Sequence, residues 1–480
     1  MAKTISLVLN GELVSTACRP DTTVLEWLRG EMLLRGSKEG CAEGDCGACS
    51  VLVKRAGDET YSPANSCIML MGQLEGGNLT TVEGLAASGP DGHQVQQLMA
   101  QNGSSQCGFC TPGIVCSLAG LLDRNQEPSE ADIHDALAGN LCRCTGYRPI
   151  VEAAHAAAAA TTAAAGGTVA NAVDGMQAVT VDDLKPGSDV GSGECQFYLP
   201  QSLDELLQLR AEHPDAELLA GGTDMSLAVA HAKARWSKTI STRSVVEMRN
   251  ISQADGAIHF GGSTTWEEAL PHLQQYWPSF ATLVRRFGST QIRAMGTMAG
   301  NLANASPIGD GAPCLIALSA SINLVSQSGE RTIPLDEFFL DYRKSALADN
   351  EVIKCVSVPL PEPEQDFRVY KISKRYDQDI STVCGAFSLT TRDGVVEAAR
   401  IAYGGMAATP MRATTAEAAL AGIRLDESAA LEAAKQAIAD TFTPMTDMRG
   451  SAQYRAQVAV NLLDRLILDL AGETVEVMAL

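Results

Sequence analysis

The chain has 480 residues, and at roughly 150 residues per domain this length implies about three domains rather than one small module. Its 57 acidic and 36 basic residues give a net charge of -21, which argues against nucleic acids and anionic membranes as main partners. Hydrophobic residues make up 45% and charged residues 19%, a composition typical of a core-forming globular protein and not of a disordered one. The first apolar stretch is too short for a signal peptide and no apolar run is suited to a membrane helix, so we expect a cytoplasmic protein.

The N-terminal residues predict a small α+β module. Residues 4–18 form a predicted hairpin, because apolar residues alternate from Ile5 to Leu9 and Asn10-Gly11 is typical of a type I′ turn. Asp21 is the predicted cap of the helix that follows. A tight glycine loop comes next, and residues 50–53 resume a strand.

From about residue 87 the pattern becomes helical. Pro112 opens one predicted helix, Ser129 and Asp132 form a capping-box pattern before a second, and Pro149 starts another that runs to Ala160. Four short helices predict a small bundle. Residues 166–194 are rich in Ala, Gly, Thr, Asp and Ser, which predicts an interdomain linker that runs over the surface.

The remainder of the chain mixes strands and helices. Two apolar runs lead into Gly221-Gly222 and Gly261-Gly262, a pattern typical of strands that end in turns. The last part begins with strands around Phe387 and ends with amphipathic helices.

Cysteine placement is the strongest chemical signal. Nine of the 14 cysteines lie between Cys41 and Cys144, in a long chain with no export signal, which favours metal binding over disulfides. The spacing C-x4-C-x2-C with one distant cysteine is that of a plant-type [2Fe–2S] cluster, and zinc sites usually show separated C-x2-C pairs instead. Gly44 and Gly47 allow the sharp loop that such a cluster needs. We call these predicted ligands the first cysteine set: Cys41, Cys46, Cys49 and Cys67.

A second cysteine set combines a C-x2-C with a C-x-C: Cys107, Cys110, Cys142 and Cys144. Spacing alone leaves zinc as an alternative for this set. The unusual C-x-C pair and the cluster motif upstream favour a second [2Fe–2S] cluster. The other six cysteines are interpreted as small buried hydrophobic residues: Cys18, Cys116, Cys195, Cys314, Cys355 and Cys384.

Together these motifs resemble the iron–sulfur signature of the molybdenum hydroxylase family. The residues that carry the resemblance are the first set, the run from Gln106 to Gly113, and Cys142-Arg-Cys144-Thr-Gly-Tyr. The resemblance covers nearly the whole chain except the linker and implies an α+β multidomain fold. Its expected parts are a ferredoxin-like β-grasp domain (1–86), a small four-helix [2Fe–2S] domain (87–165), the linker (166–194), an α/β FAD-binding domain of the non-Rossmann type (195–366) and a C-terminal α+β flavoprotein domain (367–480).

The flavin half carries its own similarities. A Gly-rich turn at 218–225 could cradle a pyrophosphate and is similar to the family's first FAD loop, and the segment from Phe287 to Asp310 is similar to its second FAD motif. In the family, the aromatic residue at the position of Phe287 lies against the isoalloxazine ring. The FAD-binding residues that the resemblance implies are Leu218, Leu219, Ala220, Gly221, Gly222, Thr223, Asp224, Met225, Phe287, Gly288, Thr297, Asn301, Asp310, Ile353 and Lys371.

Three further segments resemble the family but are not expected to contact FAD. Residues 342–344 are similar to a segment near the nicotinamide site, whereas 403–407 and 447–455 are interpreted as structural. The chain departs from the family at Gly222, Asp224 and Gln378. At the position of Gln378 the mammalian enzymes carry an acidic residue, and this difference bears on the flavin potential and on the choice of electron acceptor. No G-x-G-x-x-G opens a βαβ unit, so NAD would bind at the flavin face.

The resemblance implies an electron-transfer subunit without a catalytic residue of its own. No hydrolytic or nucleophilic constellation is present, and His134 and His155 are interpreted as surface or packing residues. The family's molybdopterin-binding part is expected in a separate large subunit that oxidises hypoxanthine and xanthine to urate. Electrons would pass through two [2Fe–2S] clusters and FAD to NAD+, in a heterotetramer of two small and two large subunits. The alternatives are a subunit of the same layout for an aldehyde or a nitrogen heterocycle, and a non-catalytic redox carrier.

Overall fold

The computed structural model describes residues 4–86, 92–163, 189–192 and 195–473. The chain divides into two compact units, and each is described by itself. The first unit comprises Met1–Val246 with Gly288–Gly296, and the second comprises Glu247–Phe287 with Thr297–Leu480. The residues on both sides of the short segment 288–296 therefore belong to a different unit from the segment itself.

The first unit begins with a five-stranded sheet of order β2-β1-β5-β3-β4, in which β1 and β5 are parallel and the other neighbours antiparallel. The predicted hairpin is present, and Asn10 and Gly11 both have positive φ, as a type I′ turn requires. The predicted helix cap is wrong. Thr23 caps the helix in a capping box with Glu26, and Asp21 pairs with Arg19 instead. The elements are β1 (Ile5–Leu9), β2 (Glu12–Thr16), α1 (Val24–Gly30), β3 (Ser50–Lys54), β4 (Ser62–Asn65), β5 (Asn78–Thr80) and α2 (Val82–Ala86).

Four helices follow within residues 92–163, as the sequence predicts. They are α3 (Gln94–Gln101), α4 (Thr111–Arg124), α5 (Glu130–Leu137) and α6 (Arg148–Ala163). Ser129 and Asp132 form the predicted capping box at the start of α5. Ile114, Leu118, Ile133 and Ile150 are fully buried, so the bundle has its own apolar core.

A partly parallel four-stranded sheet completes the first unit, with the order β6-β7-β9-β8. Most of the predicted linker lies outside the described residues, and its residues 189–192 form the edge strand β6. Gly72 packs directly on the ring of Phe197, so this sheet shares a core with the N-terminal module. The elements are β6 (Asp189–Ser192), β7 (Cys195–Tyr198), α7 (Leu203–Glu212), β8 (Glu217–Leu219), α8 (Met225–Ala230) and β9 (Lys238–Ser241).

The second unit contains an antiparallel five-stranded sheet of order β10-β11-β16-β12-β13 and a short β14-β15 hairpin. Trp266, Trp277 and Phe280 fill its core. The elements are β10 (Ile251–Ala254), β11 (Ala257–Gly261), α9 (Trp266–Tyr276), α10 (Pro278–Phe287), α11 (Met298–Ala303), α12 (Gly311–Ala317), β12 (Ser321–Ser326), β13 (Gly329–Pro334), β14 (Phe339–Asp341), β15 (Lys344–Ser345) and β16 (Val352–Pro359).

The C-terminal part of the second unit is a four-stranded antiparallel sheet covered by helices. Buried Tyr403 donates to the carbonyl of Ala459, and buried Arg455 donates to the carbonyl of Gly405 and pairs with Asp447. These contacts fit the structural role expected of 403–407 and 447–455. The elements are β17 (Gln365–Ile372), β18 (Val383–Arg392), β19 (Val395–Gly404), β20 (Met411–Arg412), α13 (Thr414–Leu420), α14 (Ser428–Thr441) and α15 (Ala452–Leu470).

No helix in the described ranges is both long enough and apolar enough to cross a membrane.

Candidate functional site: two cysteine sets and a flavin-type loop system

The first cysteine set converges in the first unit, between α1 and β3 and after β4. The sulfurs of Cys49 and Cys67 lie 3.3 Å apart, and the thiol of Cys46 lies within hydrogen-bond reach of Cys41. Gly44 and Gly47 both adopt positive φ, so the loop turns sharply where the sequence predicts. The sequence places three of these cysteines in one loop, and the fold brings Cys67 to them.

Hydrogen bonds surround the sulfur of Cys41. Contacts with the thiols of Cys46 and Cys67, together with the backbone N–H groups of Glu43 (3.4 Å) and Cys46 (3.3 Å), lower the pKa of Cys41 against the opposing effect of burial. The same Cys41 contact and burial raise the pKa of Cys46. N–H groups directed at sulfur favour the thiolate, which is the form that ligates iron.

Asn65 supports this loop and was missed by the sequence analysis. Its side chain is fully buried, and Nδ2 donates to the carbonyl of Gly44 at 2.7 Å. The loop therefore keeps its shape through a buried hydrogen bond as well as through its glycines. A single Asn in a strand gives no signal of this role in the sequence.

The second cysteine set also converges, at the N-terminal end of α4 and in the loop before α6. Cys107 lies beside Cys144 and Cys110 beside Cys142, each within thiol hydrogen-bond reach. Cys107 and Cys144 are exposed, whereas Cys142 is buried. The backbone N–H of Phe109 lowers the pKa of Cys107, and burial together with Cys142 raises the pKa of Cys110 to about 12.

Two further residues hold the second set. The hydroxyl of Tyr147 accepts from the N–H of Cys142 at 2.7 Å and donates to the carbonyl of Asn140 at 3.0 Å, and Thr145 lies 3.1 Å from the Cys142 sulfur. Tyr147 adopts a positive φ of 67°, which is uncommon for an aromatic residue. Both residues belong to the Cys-Arg-Cys-Thr-Gly-Tyr motif, so the motif marked them although their roles were not predicted.

The other six cysteines are only partly as expected. Cys116, Cys195, Cys314 and Cys384 are buried. Cys18 and Cys355 are half-buried, so the interpretation of all six as buried is wrong for these two.

The predicted Gly-rich loop lies in the first unit, between β8 and α8. A Cβ at Gly221 would lie 2.1 Å from the carbonyl oxygen of Met295, and Gly222 has a φ of +82°, so both positions require glycine. Ser226 is buried and its hydroxyl lacks a hydrogen-bond partner among the described residues. Of the predicted residues, this unit holds Gly288 and the whole run Leu218, Leu219, Ala220, Gly221, Gly222, Thr223, Asp224 and Met225.

The other predicted flavin residues lie in the second unit. Phe287 ends α10 half-buried and meets Trp266 edge-on, with the ring centres 5.1 Å apart. Thr297 caps α11 by accepting from the N–H of Gly300 at 3.0 Å. Asn301 on the same helix approaches the start of α12, where a Cβ at Gly311 would lie 2.7 Å from its Oδ1.

Asp310 and Lys371 form a buried ion pair beside these residues. Lys371 Nζ lies 2.6 Å from Asp310 Oδ2 and donates to the hydroxyl of Ser381 at 2.7 Å, and that hydroxyl donates to the same carboxylate oxygen at 2.9 Å. Ser381 was missed, because only the strand pairing of β17 and β18 brings it to Lys371. Ile353, also predicted, is buried, and its carbonyl approaches Gly262 closely.

The segment 342–344, predicted to be similar to one near the nicotinamide site, and the loop that contains Gln378 belong to the second unit and are largely exposed. Tyr342 lies at the tip of the β14-β15 hairpin with 58% of its surface exposed. Arg286 stacks over the ring of Tyr376 at 4.1 Å and accepts from the N–H of Gln378 through its carbonyl. The loop that contains Gln378 is thus attached to the end of α10, next to Phe287.

The donor chemistry fits the implied cofactors. No three of the His, Cys, Asp and Glu side chains in the described residues are arranged around one metal ion. In the first set the thiol contacts run from Cys46 through Cys41 and Cys67 to Cys49. A [2Fe–2S] cluster takes four thiolates on two irons. In the flavin half, buried Oδ1 atoms of Asn301 and Asp310 and the hydroxyl of Thr264 have no hydrogen-bond partner within the described part of the chain. Buried polar groups of this kind are usually paired, so a polar ligand such as FAD suits them.

Four family models match the chain in order. They are the 2Fe-2S iron-sulfur cluster binding domain (residues 7–72), the [2Fe-2S] binding domain (81–155), the FAD binding domain in molybdopterin dehydrogenase (193–361) and the CO dehydrogenase flavoprotein C-terminal domain (368–470). These matches confirm two [2Fe–2S] domains, and the second decides against zinc for residues 107–144. They also confirm the α+β multidomain fold class and the FAD-binding domain.

Relatives among known proteins agree with this class. The chain is 32% identical to xanthine dehydrogenase of Emericella nidulans over 98% of its own length and 30% identical to xanthine dehydrogenase 1 of Arabidopsis thaliana over 93%. It spans 39% and 38% of those two relatives. Its structure is similar to a chain of a carbon monoxide dehydrogenase from Hydrogenophaga pseudoflava, an enzyme form that lacks the Mo-pyranopterin moiety of the molybdenum cofactor (29% identity, TM-score 0.53, 56% of this chain and 94% of that chain). It is also similar to quinoline 2-oxidoreductase from Pseudomonas putida 86 (26% identity, TM-score 0.53, 57% and 96%).

The fold and the two cysteine sets therefore define an iron–sulfur flavoprotein with two [2Fe–2S] domains and an FAD-binding domain. The four domains match the N-terminal 2Fe-2S and FAD part of the xanthine dehydrogenase and molybdenum hydroxylase family.

Proposed function

We propose that this chain is the electron-transfer component of a xanthine dehydrogenase that works with a separate molybdopterin-binding large subunit. The observation that carries the proposal is the presence, in one chain, of two converged four-cysteine sets followed by a flavin half. When bound, the clusters carry single electrons and FAD exchanges a hydride with NAD+, which joins one-electron to two-electron chemistry. The relatives named xanthine dehydrogenase favour hypoxanthine and xanthine as the substrates of the partner.

In this proposal the two cysteine sets are the cluster ligands, and the fifteen flavin residues named above hold FAD. Thr297 and Asn301 present polar groups to it, Phe287 presents an aromatic face, and Lys371 balances the charge of Asp310. The domains would run over 1–86, 87–165, 195–366 and 367–480, with 166–194 as linker. A cytoplasmic location suits fourteen cysteines with no disulfide among the described residues.

The exposure of two cysteines in the second set supports the proposal that electrons from the large subunit enter at this set. Cys107 and Cys144 are exposed, and the neighbouring Phe109 and Leu141 expose 46% and 66% of their surfaces. Exposed apolar side chains around a redox centre are typical of a protein interface. Electrons from the large subunit would enter at the second set, cross to the first and leave from the flavin half, in a heterotetramer of two small and two large subunits.

An anaerobic titration of the isolated chain with NADH tests the acceptor. We expect the flavin absorbance and the iron–sulfur absorbance to bleach together, because bound FAD would accept a hydride from NADH and its two electrons would pass singly to the clusters. Flavin that binds but does not bleach would contradict NAD+ as the acceptor. It would favour the second candidate, a subunit for another substrate class, which the likeness to quinoline 2-oxidoreductase supports. Absence of bound flavin would favour the redox carrier.

Replacement of one ligand tests the assignment of the first set. Cys46→Ala is expected to remove one of two [2Fe–2S] signals in electron paramagnetic resonance, because Cys46 is a thiolate of one cluster only. Cys116→Ala is the control, since this fully buried cysteine lies in neither set. Two unchanged signals in Cys46→Ala would show that this loop does not ligate iron.

A further inference from the structure

A side chain of the N-terminal module holds the Gly-rich loop at 218–225. Nε2 of Gln73 donates to the carbonyl of Gly221 at 3.2 Å, while Oε1 of the same amide accepts from the N–H of Leu70 at 3.0 Å. A Cβ at Gly222 would lie 3.5 Å from Nε2 of Gln73, so the amide lies beside both glycines of the loop. Gln73 precedes Gly221 by 148 positions, and no local pattern in the sequence indicates this contact.

Gln73 itself is fixed on both sides. It lies in a short 3₁₀ turn, Met71–Leu74, a few residues after Cys67. Met71 is fully buried, and its N–H donates to the carbonyl of Thr22, just before α1, at 2.9 Å. Because Oε1 of Gln73 is already engaged by the N–H that precedes this turn, the amide keeps Nε2 directed at the Gly-rich loop.

This contact fixes the direction of a peptide group in the loop. In a trans peptide the carbonyl and the N–H point in opposite directions, so the N–H of Gly222 points away from Gln73. The carbonyl of Gly222 accepts from the N–H of Ser226 at 2.9 Å, which fixes the N–H of Thr223 in the same way. No group in the described part of the chain accepts from these two N–H groups. Successive N–H groups held in a turn of this kind suit an anion.

We propose that Gln73 is a positioning residue for FAD, which presents the N–H groups of Gly222 and Thr223 to the diphosphate of that cofactor. The inference rests on the proposed function, in which residues 218–225 hold FAD. A diphosphate is negatively charged and accepts strong hydrogen bonds from backbone N–H groups. Gln73 acts through the peptide between Gly221 and Gly222 and does not itself touch FAD.

A role of Gln73 in folding alone would give a different pattern. If the side chain only joined two parts of the first unit, its loss would lower the stability of that unit and leave diphosphate binding by the folded chain unchanged. The positioning role predicts the opposite, because iron loading should persist while diphosphate binding weakens. ADP distinguishes the two roles, since it carries the diphosphate of FAD without the flavin ring.

The experiment uses the full-length chain with its clusters, freed of flavin by dialysis against concentrated bromide. FAD is titrated back and followed by the quenching of its fluorescence, with ADP as competitor. Gln73→Met removes the donor and keeps the length of the side chain. Gln97→Met is the matched control, because Gln97 donates to the carbonyl of Gly92 at 3.0 Å in the helical module. We expect FAD and ADP to bind roughly tenfold more weakly to Gln73→Met, the usual effect of disturbing one hydrogen bond to a charged group. Iron content should stay as in the unaltered chain, and Gln97→Met should bind both ligands normally.

Gln73→Glu covers the case in which methionine disturbs the 3₁₀ turn. Its carboxylate still accepts from the N–H of Leu70 but cannot donate to Gly221, so FAD should bind at least as weakly as to Gln73→Met. Unchanged FAD affinity in either variant, or loss of iron from both, would overturn the positioning role. So would equal weakening in Gln97→Met, or ADP that competes as well in the variants as in the unaltered chain or displaces no FAD from any of them. An unaltered chain that binds no FAD would instead contradict the proposed function.

Discussion

At the scale of single residues, one carboxylate makes the first unit sensitive to acid. Asp58 lies between Arg55 and Arg243, each at 3.0 Å. Burial raises the pKa of Asp58, but the two guanidinium groups together hold it below its usual value. A carboxyl with a lowered folded-state pKa stabilises the fold above the unfolded value of about 3.9. That stability is lost as the pH falls from there through the folded value.

Asp58→Asn is therefore expected to destabilise the first unit by on the order of 2 kcal/mol at neutral pH, because two nearly buried guanidinium groups lose their counter-charge. The midpoint of thermal unfolding should fall, and its dependence on pH below about pH 4 should become shallower. Glu59→Gln, at the exposed neighbouring position, is the control and should change little. An unchanged acid dependence in Asp58→Asn would show that other carboxylates determine it.

Phe287 is the residue through which the flavin assignment is most directly tested. Its ring is held on one side by Trp266 and is only half-buried. Phe287→Ala removes an aromatic contact worth about 0.5–1.5 kcal/mol, so FAD should bind roughly two- to tenfold more weakly while both cluster signals persist. Phe287→Tyr keeps the ring and should retain FAD. Equal FAD affinity in all three chains, measured by fluorescence during dialysis, would remove Phe287 from the flavin site.

At the scale of elements, α1 begins where its capping box lies. Thr23 accepts from the N–H of Glu26 at 3.2 Å, and the Glu26 carboxylate receives the N–H of Thr23. Thr23→Ala should cost about 1 kcal/mol, the usual value of such a cap. Differential scanning calorimetry should show a lower unfolding midpoint in Thr23→Ala than in Thr60→Ala, which replaces an exposed threonine outside any helix. Equal midpoints would mean that packing of Trp27 alone holds the start of this helix.

Helix starts and turns were predictable from the sequence where the residues that determine them lie close together in the chain. The Asn10-Gly11 turn and the Ser129 capping box were found because each signal lies within a few residues. The start of α1 was misplaced because Asp21 and Thr23 are both good caps, and only the pairing of Asp21 with Arg19 leaves the role to Thr23. The cysteine motifs were found by spacing, whereas Asn65 and Ser381 depend on contacts between distant segments and left no local pattern.

At the scale of the whole molecule, sequence order does not reveal to which unit the segment 288–296 belongs. By order it lies within the second flavin motif, yet by contact it belongs to the first unit. Arg293 in this segment is fully buried and forms a two-point ion pair with Asp135 of the helical module, at 3.0 and 2.6 Å. Arg55 of the N-terminal module donates to the carbonyl of Ala294 at 2.9 Å. The iron–sulfur half is thus completed by residues that follow it by more than one hundred positions in the chain.

This arrangement predicts how the chain unfolds. Arg293→Met should lower the stability of the first unit by about 2 kcal/mol, less than a fully buried pair would lose because Asp135 is partly exposed. For a unit of this size the midpoint should fall by roughly 4–8 °C. Release of iron on heating reports the unfolding of the first unit, because both cysteine sets lie there. In Arg293→Met, iron should therefore be released at a lower temperature. Arg148→Met is the matched control, because Arg148 pairs with Glu152 at the surface and such pairs contribute little. Equal iron release in the two variants would mean that the segment 288–296 follows the iron–sulfur modules without stabilising them.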